Sequence, residues 1–308
     1  MVLAGCGRIH FDPRSDSGTA DDAPACTDVQ FGPHSEFATA SNPYKLAVGD
    51  IDNDGALDLA ATAIGTSVVS VLRGNGDGTF RPRVELAMPS GPFSIGFADL
   101  DANGNLDLLV GSVNALMISV RSGNGDGTFS GSTSYPTAVR PRAFAVARLD
   151  ANATLDLVSC EQDNGAVSVW LGNGDNSLSG PTTYSAGGTE CYSLTVGDLD
   201  GNGAPDVIVV DPSNDEVQVL LDNGQGVGAF RAATRYPTGA NETPAAVATA
   251  DVDHDGVTDV ITTEAFTRKI AVYLGNGDGA LQQPVRWQSR VDPRGRRDRR
   301  RPRRHRGD

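Results

Sequence analysis

The sequence is poor in aromatic residues and has no long hydrophobic run. Only 6% of its 308 residues are aromatic, and no segment approaches the roughly 20 apolar residues that a membrane-spanning helix requires. Glycine is abundant at 37 residues, and 39% of the chain is hydrophobic. Many short strands joined by Gly-rich turns have this profile and long helices do not, so we predict an all-β fold.

The sequence also lacks a recognisable catalytic grouping. No nucleophile motif occurs, and the histidines do not recur with carboxylates at spacings suggestive of a site. The histidines are His10, His34, His254 and His305. Four scattered glutamates, which we expect on solvated surface, are Glu161, Glu190, Glu216 and Glu264. We therefore predict no catalytic residues and no enzymatic activity.

An acidic loop at residues 50–58 is the most informative stretch. Aspartates stand at loop positions 1, 3, 5 and 9, and Gly55 stands at position 6. Four carboxylates on one tight turn repel each other unless a cation lies among them. Calcium suits the arrangement because it takes six to eight oxygen ligands, and glycine permits the sharp turn that aims them inward. The glutamate that an EF-hand carries at position 12 is missing, so this is a nine-residue calcium loop of another kind.

The acidic loop belongs to an internal repeat. It recurs at residues 99–107, 198–206 and 251–259, and residues 148–156 are a worn copy. A second marker, Gly-Asn-Gly-Asp-Gly-Thr-Phe at residue 74, keeps the same spacing; its copies begin at residues 123, 172, 222 and 275. Two motifs in phase at a period near fifty predict a propeller or a solenoid.

Each unit is predicted to contain four strands. In the first unit these are Leu46–Val48, Leu57–Ala63, Val68–Leu72 and Phe80–Leu86, with a tight Asn-Gly turn before the last. Residues 31–38 match the segment that begins at Phe80, so the repeat starts in the middle of a unit. In a closed ring, such a start would let the N-terminal strand complete the last sheet.

These motifs resemble the FG-GAP/VCBS repeats of bacterial surface proteins and, more distantly, the calcium-bearing blades of integrin α-subunits. The resemblance covers residues 31 to about 287 and implies a β-propeller of four-stranded blades, with about five of seven usual units present. It also implies that each loop holds calcium through side chains at positions 1, 3, 5 and 9 and the backbone carbonyl at position 7. The implied ligands are Asp50, Asp52, Asp54, Ala56, Asp58, Asp99, Asp101, Asn103, Asn105, Asp107, Asp198, Asp200, Asn202, Ala204, Asp206, Asp251, Asp253, Asp255, Val257 and Asp259.

About four calcium ions are expected, because the third loop departs from the pattern. Arg148 replaces its first aspartate and Ala153 its turn glycine. A guanidinium beside Asp150 and Asp156 could neutralise them without a metal, so we expect this loop to be empty.

Two interpretations stand for Cys160 and Cys191, which in a propeller would both lie on the face opposite the acidic loops. They form either a disulfide between neighbouring blades, as in exported proteins, or two separate buried thiols. Cys26 has no evident partner.

The two ends are predicted to differ from the repeat domain at residues 25–287. Residues 1–24 combine a lipobox-like start, in which Cys6 would be acylated, with a disordered tether. Residues 288–308 are Arg-rich and aberrant, and we interpret them as a frameshifted sixth loop or a disordered tail. The terminal Arg306-Gly307-Asp308 would then be no adhesion signal.

We therefore expect an exported or cell-surface protein in which calcium is mainly structural and which acts as a ligand-binding, adhesion or interaction module. A protein or carbohydrate is the expected ligand, since the acidic repeat argues against nucleic acid. The chain is expected to be a monomer that reaches a membrane only through a lipid on Cys6. Two alternatives stay open, a polysaccharide-degrading propeller enzyme and a scaffold or sensor without its partner domains.

Overall fold

The computed structural model describes residues 35–288. This part of the chain contains twenty strands and no helix. In chain order the strands are β1 Pro43–Gly49, β2 Asp58–Ala63, β3 Val68–Leu72, β4 Val84–Ala87, β5 Pro92–Ala98, β6 Asp107–Ser112, β7 Met117–Gly123, β8 Phe129–Pro136, β9 Pro141–Ala147, β10 Asp156–Glu161, β11 Ala166–Gly172, β12 Leu178–Ser185, β13 Ser193–Gly197, β14 Asp206–Asp211, β15 Glu216–Leu220, β16 Thr234–Pro237, β17 Pro244–Ala250, β18 Asp259–Glu264, β19 Lys269–Tyr273 and β20 Val285–Gln288.

The strands form five antiparallel sheets of four consecutive strands each, which we call blades 1 to 5 in chain order. The first strands of successive blades pack on one another, from β1 through β5, β9 and β13 to β17. These strands are therefore the innermost ones, and the blades surround them in sequence. No extensive interface joins β17 back to β1 among the described residues, so the ring is open. The predicted all-β propeller fold is confirmed.

The second strand of each middle blade is buried on both faces because it lies between two neighbouring blades. In β6, Leu108 and Val110 join the core against blade 1, and Leu109 joins the core against blade 3. Successive side chains of a strand point to opposite faces, so one continuous apolar run fills two cores. Each fully buried aliphatic side chain contributes about 1.5–3 kcal/mol.

The two end blades each leave one face uncovered. On blade 1, Leu46 and Val48 of the inner strand are 56% and 53% exposed. On blade 5, Ile270 and Val285 are 48% and 49% exposed. The open arc thus ends in apolar surface on both sides.

Two details of the predicted strands are corrected. Strand β4 begins at Val84, whereas Phe80 forms only an isolated bridge to Gly74. Pro82 lies between them and has no N–H to give to a ladder. The expected strand exchange between the chain ends is also wrong for residues 35–42, which form no strand. Blade 5 is completed by its own β20.

Several predictions concern residues outside the described range. They are the acylated Cys6, the tether within residues 1–24 and the Arg-rich tail after residue 288. The described part of the chain offers no helix that is long and apolar enough to cross a membrane.

Candidate metal centres

All five acidic loops connect the first and second strands of their blades, so they lie on one face of the propeller. We call them loop 1 (50–58), loop 2 (99–107), loop 3 (148–156), loop 4 (198–206) and loop 5 (251–259). In loop 1 the turn glycine, Gly55, has φ +85°, and its N–H donates to Asp50 Oδ2 at 2.9 Å. A residue with a side chain rarely adopts this conformation. In loop 3 the equivalent Ala153 keeps an ordinary negative φ.

Four loops bring three carboxylates together, and they are the four that the sequence indicates. In each of them, one oxygen from every member lies within 4.8 Å of the others. The groups are Asp50, Asp52 and Asp58; Asp99, Asp101 and Asp107; Asp198, Asp200 and Asp206; and Asp251, Asp253 and Asp255. Among the described residues, loop 3 forms no such group. These clusters could hold a metal ion, and oxygen donors of this kind suit hard cations such as calcium.

The aspartate at position 9 has a second role that the sequence did not reveal. Asp58 Oδ2 accepts the N–H of Ile51 at 2.8 Å, and Oδ1 accepts the N–H of Gly74 at 2.7 Å. The carboxylate therefore ties the loop to the Asn-Gly hairpin of its own blade. Every blade repeats this pair of bonds, and each of the five aspartates is buried. The sequence held one indication of this structural role, because loop 3 keeps Asp156 although it lacks the first aspartate and the turn glycine of the motif.

The aspartate at position 3 of loop 1 tests whether a cation fits the loop. The Asp52 side chain is only 7% exposed, and its Oδ1 has no hydrogen-bond partner. Burial, then the charges of Asp58 and Asp54, raise the pKa of Asp52. Asp253 Oδ1, at the same position of loop 5, also lacks a partner. A buried carboxylate oxygen without a donor is unfavourable, and a cation among the carboxylates would relieve it.

The buried aspartates at position 9 show the same electrostatic cost. Burial, partly offset by the two backbone N–H groups, raises the pKa of Asp206 to about 6, and Asp200 and Asp198 add to the shift. Burial likewise raises the pKa of Asp107 and Asp259. The ionised form of these groups is therefore disfavoured while no cation balances it.

Loop 1 differs from the others because two arginines reach it. Arg81 Nη2 lies 3.1 Å from Asp54 Oδ2, and Arg81 Nη1 lies 3.4 Å from Asp52 Oδ2. Arg73 Nη1 lies 3.7 Å from the same Asp52 oxygen. These guanidinium groups partly neutralise loop 1, which the sequence did not predict.

The position-7 residues form backbone hydrogen bonds within their own loops. Ala56, Asn105, Ala204 and Val257 each donate a backbone N–H to the side chain at position 5 of the same loop, at 2.6–2.9 Å. These bonds hold positions 5 and 7 on the same turn. Their assignment as carbonyl ligands stays a prediction.

The expected neutralisation of loop 3 by Arg148 is wrong. Arg148 is exposed and forms no ion pair with any carboxylate of the described residues. Asp156 is already bonded to two backbone N–H groups, and Asp150 accepts the amide of Asn152 at 2.9 Å. The guanidinium therefore stays hydrated.

A disulfide joins Cys160 and Cys191, with their Cα atoms 5.4 Å apart. Cys160 lies near the end of β10 in blade 3, and Cys191 precedes β13 of blade 4. Both are fully buried at the end of the blades away from the loops. The bridge therefore fixes two neighbouring blades to each other.

An aromatic and cationic row marks the centre of that opposite end. Tyr44, Phe93, Arg142 and Tyr192 occupy equivalent positions at the start of four successive inner strands. The ring centroids of Tyr44 and Phe93 are 4.3 Å apart. Arg142 Cζ lies 5.1 Å from the centroid of the Phe93 ring and 3.6 Å from that of the Tyr192 ring. This row is continuous across four blades, and we call it the central ladder.

Comparison with solved structures finds the same architecture in proteins of dissimilar sequence. An Agrocybe aegerita lectin that recognises non-reducing terminal N-acetylglucosamine is 21% identical with a TM-score of 0.56; the match covers 80% of this chain and 66% of the lectin. The periplasmic gluconolactonase of Pseudomonas aeruginosa is 16% identical with a TM-score of 0.60, over 78% and 68% of the two chains. A functionally unknown protein from Desulfotomaculum acetoxidans is 11% identical with a TM-score of 0.61, over 84% and 74%. These likenesses concern the fold alone.

Comparison with family models identifies the family of the chain, which the structural matches do not. No curated protein matches the chain significantly. The model described as an FG-GAP-like repeat matches residues 50–110, 148–209 and 198–262, which include loops 1 to 5 and together exceed half of the chain. The chain therefore belongs to the family of FG-GAP-like repeat proteins.

Proposed function

We propose that this chain is an exported calcium-binding propeller in which calcium is mainly structural and whose other face binds a ligand. The unpartnered, buried oxygen of Asp52 is the observation that carries the calcium part. Asp52 belongs to a group of three carboxylates, and an unpartnered oxygen occurs again at Asp253 in the equivalent group of loop 5. A bound cation would supply the missing partner in both loops and offset the repulsion between the carboxylates.

The ions would be held by the loop residues in their predicted roles. The aspartates at positions 1 and 3 would bind the cation in all four loops, together with the position-9 aspartate in loops 1, 2 and 4 and with Asp255 in loop 5. Every position-9 aspartate would also keep its loop bonded to the hairpin. A calcium ion supplies positive charge and a preference for six to eight oxygen atoms. Four such sites would stiffen the face of the propeller on which these short, acidic turns join the first two strands of each blade.

Export is supported by two features of the described residues. A buried disulfide between blades persists in oxidising compartments and is rare in the cytosol. Each of the four loops gathers only three carboxylates. So small a charged set suits the weak affinities of extracellular calcium modules, roughly 10⁻⁴ to 10⁻³ M. Attachment by a lipid on Cys6 and a monomeric state are parts of the same proposal.

The central ladder is the surface we propose for the ligand, a carbohydrate or a protein. Aromatic faces and a guanidinium offer stacking and charge-assisted hydrogen bonds, and Tyr44 is 47% exposed. Arg142 and Lys45 bring positive charge to this end of an acidic chain. Burial, and then the charge of Arg142, lowers the pKa of Lys45. Binding, rather than catalysis, is the role that these groups support.

Calorimetric titration of the full chain with calcium tests the metal part. We expect about four weak sites, and one fewer after Asp253→Asn. Absence of calcium binding in a folded chain would contradict the proposal. For the ligand part, the probe is a panel of immobilised oligosaccharides, with Tyr44→Ala expected to abolish binding. Phe266→Ala removes an aromatic side chain that is 77% exposed outside the ladder and serves as the matched control.

A further inference from the structure

In blades 2 and 5, the hairpin packs against the acidic loop of the preceding blade. Gly127 of blade 2 donates its N–H to the carbonyl oxygen of Ile51 in loop 1 at 3.1 Å. Gly279 of blade 5 makes the equivalent bond to Leu199 in loop 4, also at 3.1 Å. A Cβ at Gly127 would lie 2.4 Å from Arg73 Cδ, and one at Gly279 would lie 2.5 Å from Leu221 Cδ1. Neither junction has room for a side chain.

The junction between blades 2 and 3 is built differently. Asn176 stands where Gly127 and Gly279 stand in their blades, and it keeps a positive φ of 63°. Ser122 stands where Arg73 and Leu221 would fill the space. The small serine thus leaves a path for the asparagine side chain, so the two differences belong together.

The Asn176 side chain uses this path to enter the carboxylate cluster of loop 2. Its Nδ2 lies 2.7 Å from Asp101 Oδ2, 3.3 Å from Asp107 Oδ1 and 3.0 Å from Ser122 Oγ. The residue belongs to blade 3, and both aspartates belong to the predicted ligands of blade 2. A neutral amide therefore bridges two acids across a blade boundary.

The other end of this amide has no partner. Asn176 Oδ1 is buried and accepts no hydrogen bond within the described residues. Rotation of the amide by half a turn exchanges its oxygen and nitrogen positions, so the oxygen can take the place now held by Nδ2. Oxygen atoms that share one calcium ion at 2.3–2.6 Å lie about 3 Å from each other. The distances of 2.7 and 3.3 Å to the two carboxylates match this spacing.

We propose that Asn176 is a ligand of the loop 2 calcium, contributed by the neighbouring blade. This rests on the proposed function, because it names a further ligand of one of the same sites. Without calcium, the amide N–H₂ bridges Asp101 and Asp107. With calcium, the amide would be rotated so that Asn176 Oδ1 is directed towards the ion, and Ser122 Oγ–H could donate a hydrogen bond to Oδ1. The loop 2 ion then links blades 2 and 3.

Amide NMR of the full chain during a calcium titration gives a separate signal for each loop. The turn glycines Gly55, Gly104, Gly203 and Gly256 all have left-handed φ and donate to the position-1 aspartate of their own loop. Their shifts therefore report loops 1, 2, 4 and 5 individually. Asn176→Gly places in blade 3 the residue that blades 2 and 5 already carry, and glycine accepts the positive φ without strain.

We expect Asn176→Gly to weaken the calcium response of Gly104 by about tenfold while the other three glycines are unchanged. The double variant Ser122→Leu with Asn176→Gly reproduces the junction of blades 4 and 5 and should show the same loss. Asn176→Asp keeps an oxygen ligand and should retain the site. Asp175→Asn, an exposed change on the same hairpin, should leave all four responses unaltered.

The outcomes separate this inference from the proposed function. An unchanged or tighter Gly104 response in Asn176→Gly would overturn the inference, because the amide would then be a bystander or a competitor of the ion. Calcium responses at the other loops would still stand in that case. If no turn glycine responded in the unmodified chain, the proposed function itself would fail.

Discussion

The carboxylate of Asp156 accepts the backbone N–H of Gly172 at 2.8 Å, and its other oxygen accepts the N–H of Leu149 at 2.7 Å. These bonds occur in loop 3, where the first aspartate and the turn glycine of the motif are missing. One residue of the motif therefore supports the fold whether or not its loop holds a cation. The position-9 aspartates of the other loops combine this support with their predicted metal role.

Replacement of Asp156 by alanine should destabilise the chain without changing its calcium content. Two buried N–H groups would lose their acceptors, which costs about 2–4 kcal/mol in the free energy of unfolding. Denaturant unfolding measures this cost, and calorimetry checks that about four sites remain. Asp150→Ala is the control, since Asp150 is less buried and accepts its bonds within the loop. An equal loss in both variants would contradict the role assigned to Asp156.

A fifth calcium site should appear when loop 3 is given the residues that it lacks. Arg148→Asp restores the first carboxylate, and Ala153→Gly restores the residue that adopts a positive φ at position 6. Asp150, Asn152 and Asp156 are already present. Calorimetric stoichiometry should increase by one in the double variant, while Ala153→Gly alone should leave it unchanged. Failure of the double variant to bind another ion in a folded chain would show that the four side chains do not define the site.

Much of this architecture could be predicted because the sequence repeats itself. Two motifs in phase gave the number of units, the strands on each side of every loop and the four loops with intact acids. The strand limits were less predictable. Strands β4 and β16 begin at the equivalent residues Val84 and Thr234, whereas β8 and β12 begin four positions earlier in their units, a difference between blades that the repeat pattern hides.

The repeat pattern does not predict which side chains of different units contact each other. The sequence shows an asparagine in place of a hairpin glycine at residue 176, but Asp107, which its amide contacts, is 69 residues away. Within one unit, the contact of Arg81 with Asp52 was equally unpredictable, since it depends on the hairpin folding back on the loop. For Arg148, the sequence predicted a contact that the structure does not contain. Arg148 is adjacent to the acids in sequence, yet it remains in solvent because backbone N–H groups and an amide already satisfy them.

Glu264 should make the stability of the chain fall as the pH rises through its titration range. The expected surface position of Glu264 is wrong, as it is for Glu161, since both side chains are buried. Glu264 Oε1 accepts the hydroxyl of Thr262 at 2.7 Å, and Oε2 has no partner. Burial is the main cause that raises the pKa of Glu264 above 4.5; Glu242 and Asp215 raise it further, and Arg286 opposes them. The folded state therefore binds more protons than the unfolded state between the two pKa values, and its free energy of unfolding decreases with pH there.

Glu264→Gln should remove this pH-dependent penalty. The variant should be more stable than the parent chain at pH 7 and lose most of this advantage at pH 4, where Glu264 is mostly protonated in both states. Denaturant midpoints at the two pH values measure the difference. Glu216→Gln is the control, since Glu216 is ion-paired with the largely exposed Arg235 and its replacement should lower the stability at pH 7 and not raise it. A variant less stable than its parent at pH 7 would contradict the assignment.

Thermal unfolding of the full chain in millimolar calcium and in excess chelator tests the central claim most directly. Ions that bind only the folded state raise its stability in proportion to the logarithm of their concentration above Kd. We predict a midpoint that rises steadily with calcium and a much smaller rise with magnesium, which demands stricter octahedral geometry. Equal midpoints in calcium and in chelator, for a chain that unfolds cooperatively in both, would contradict the account.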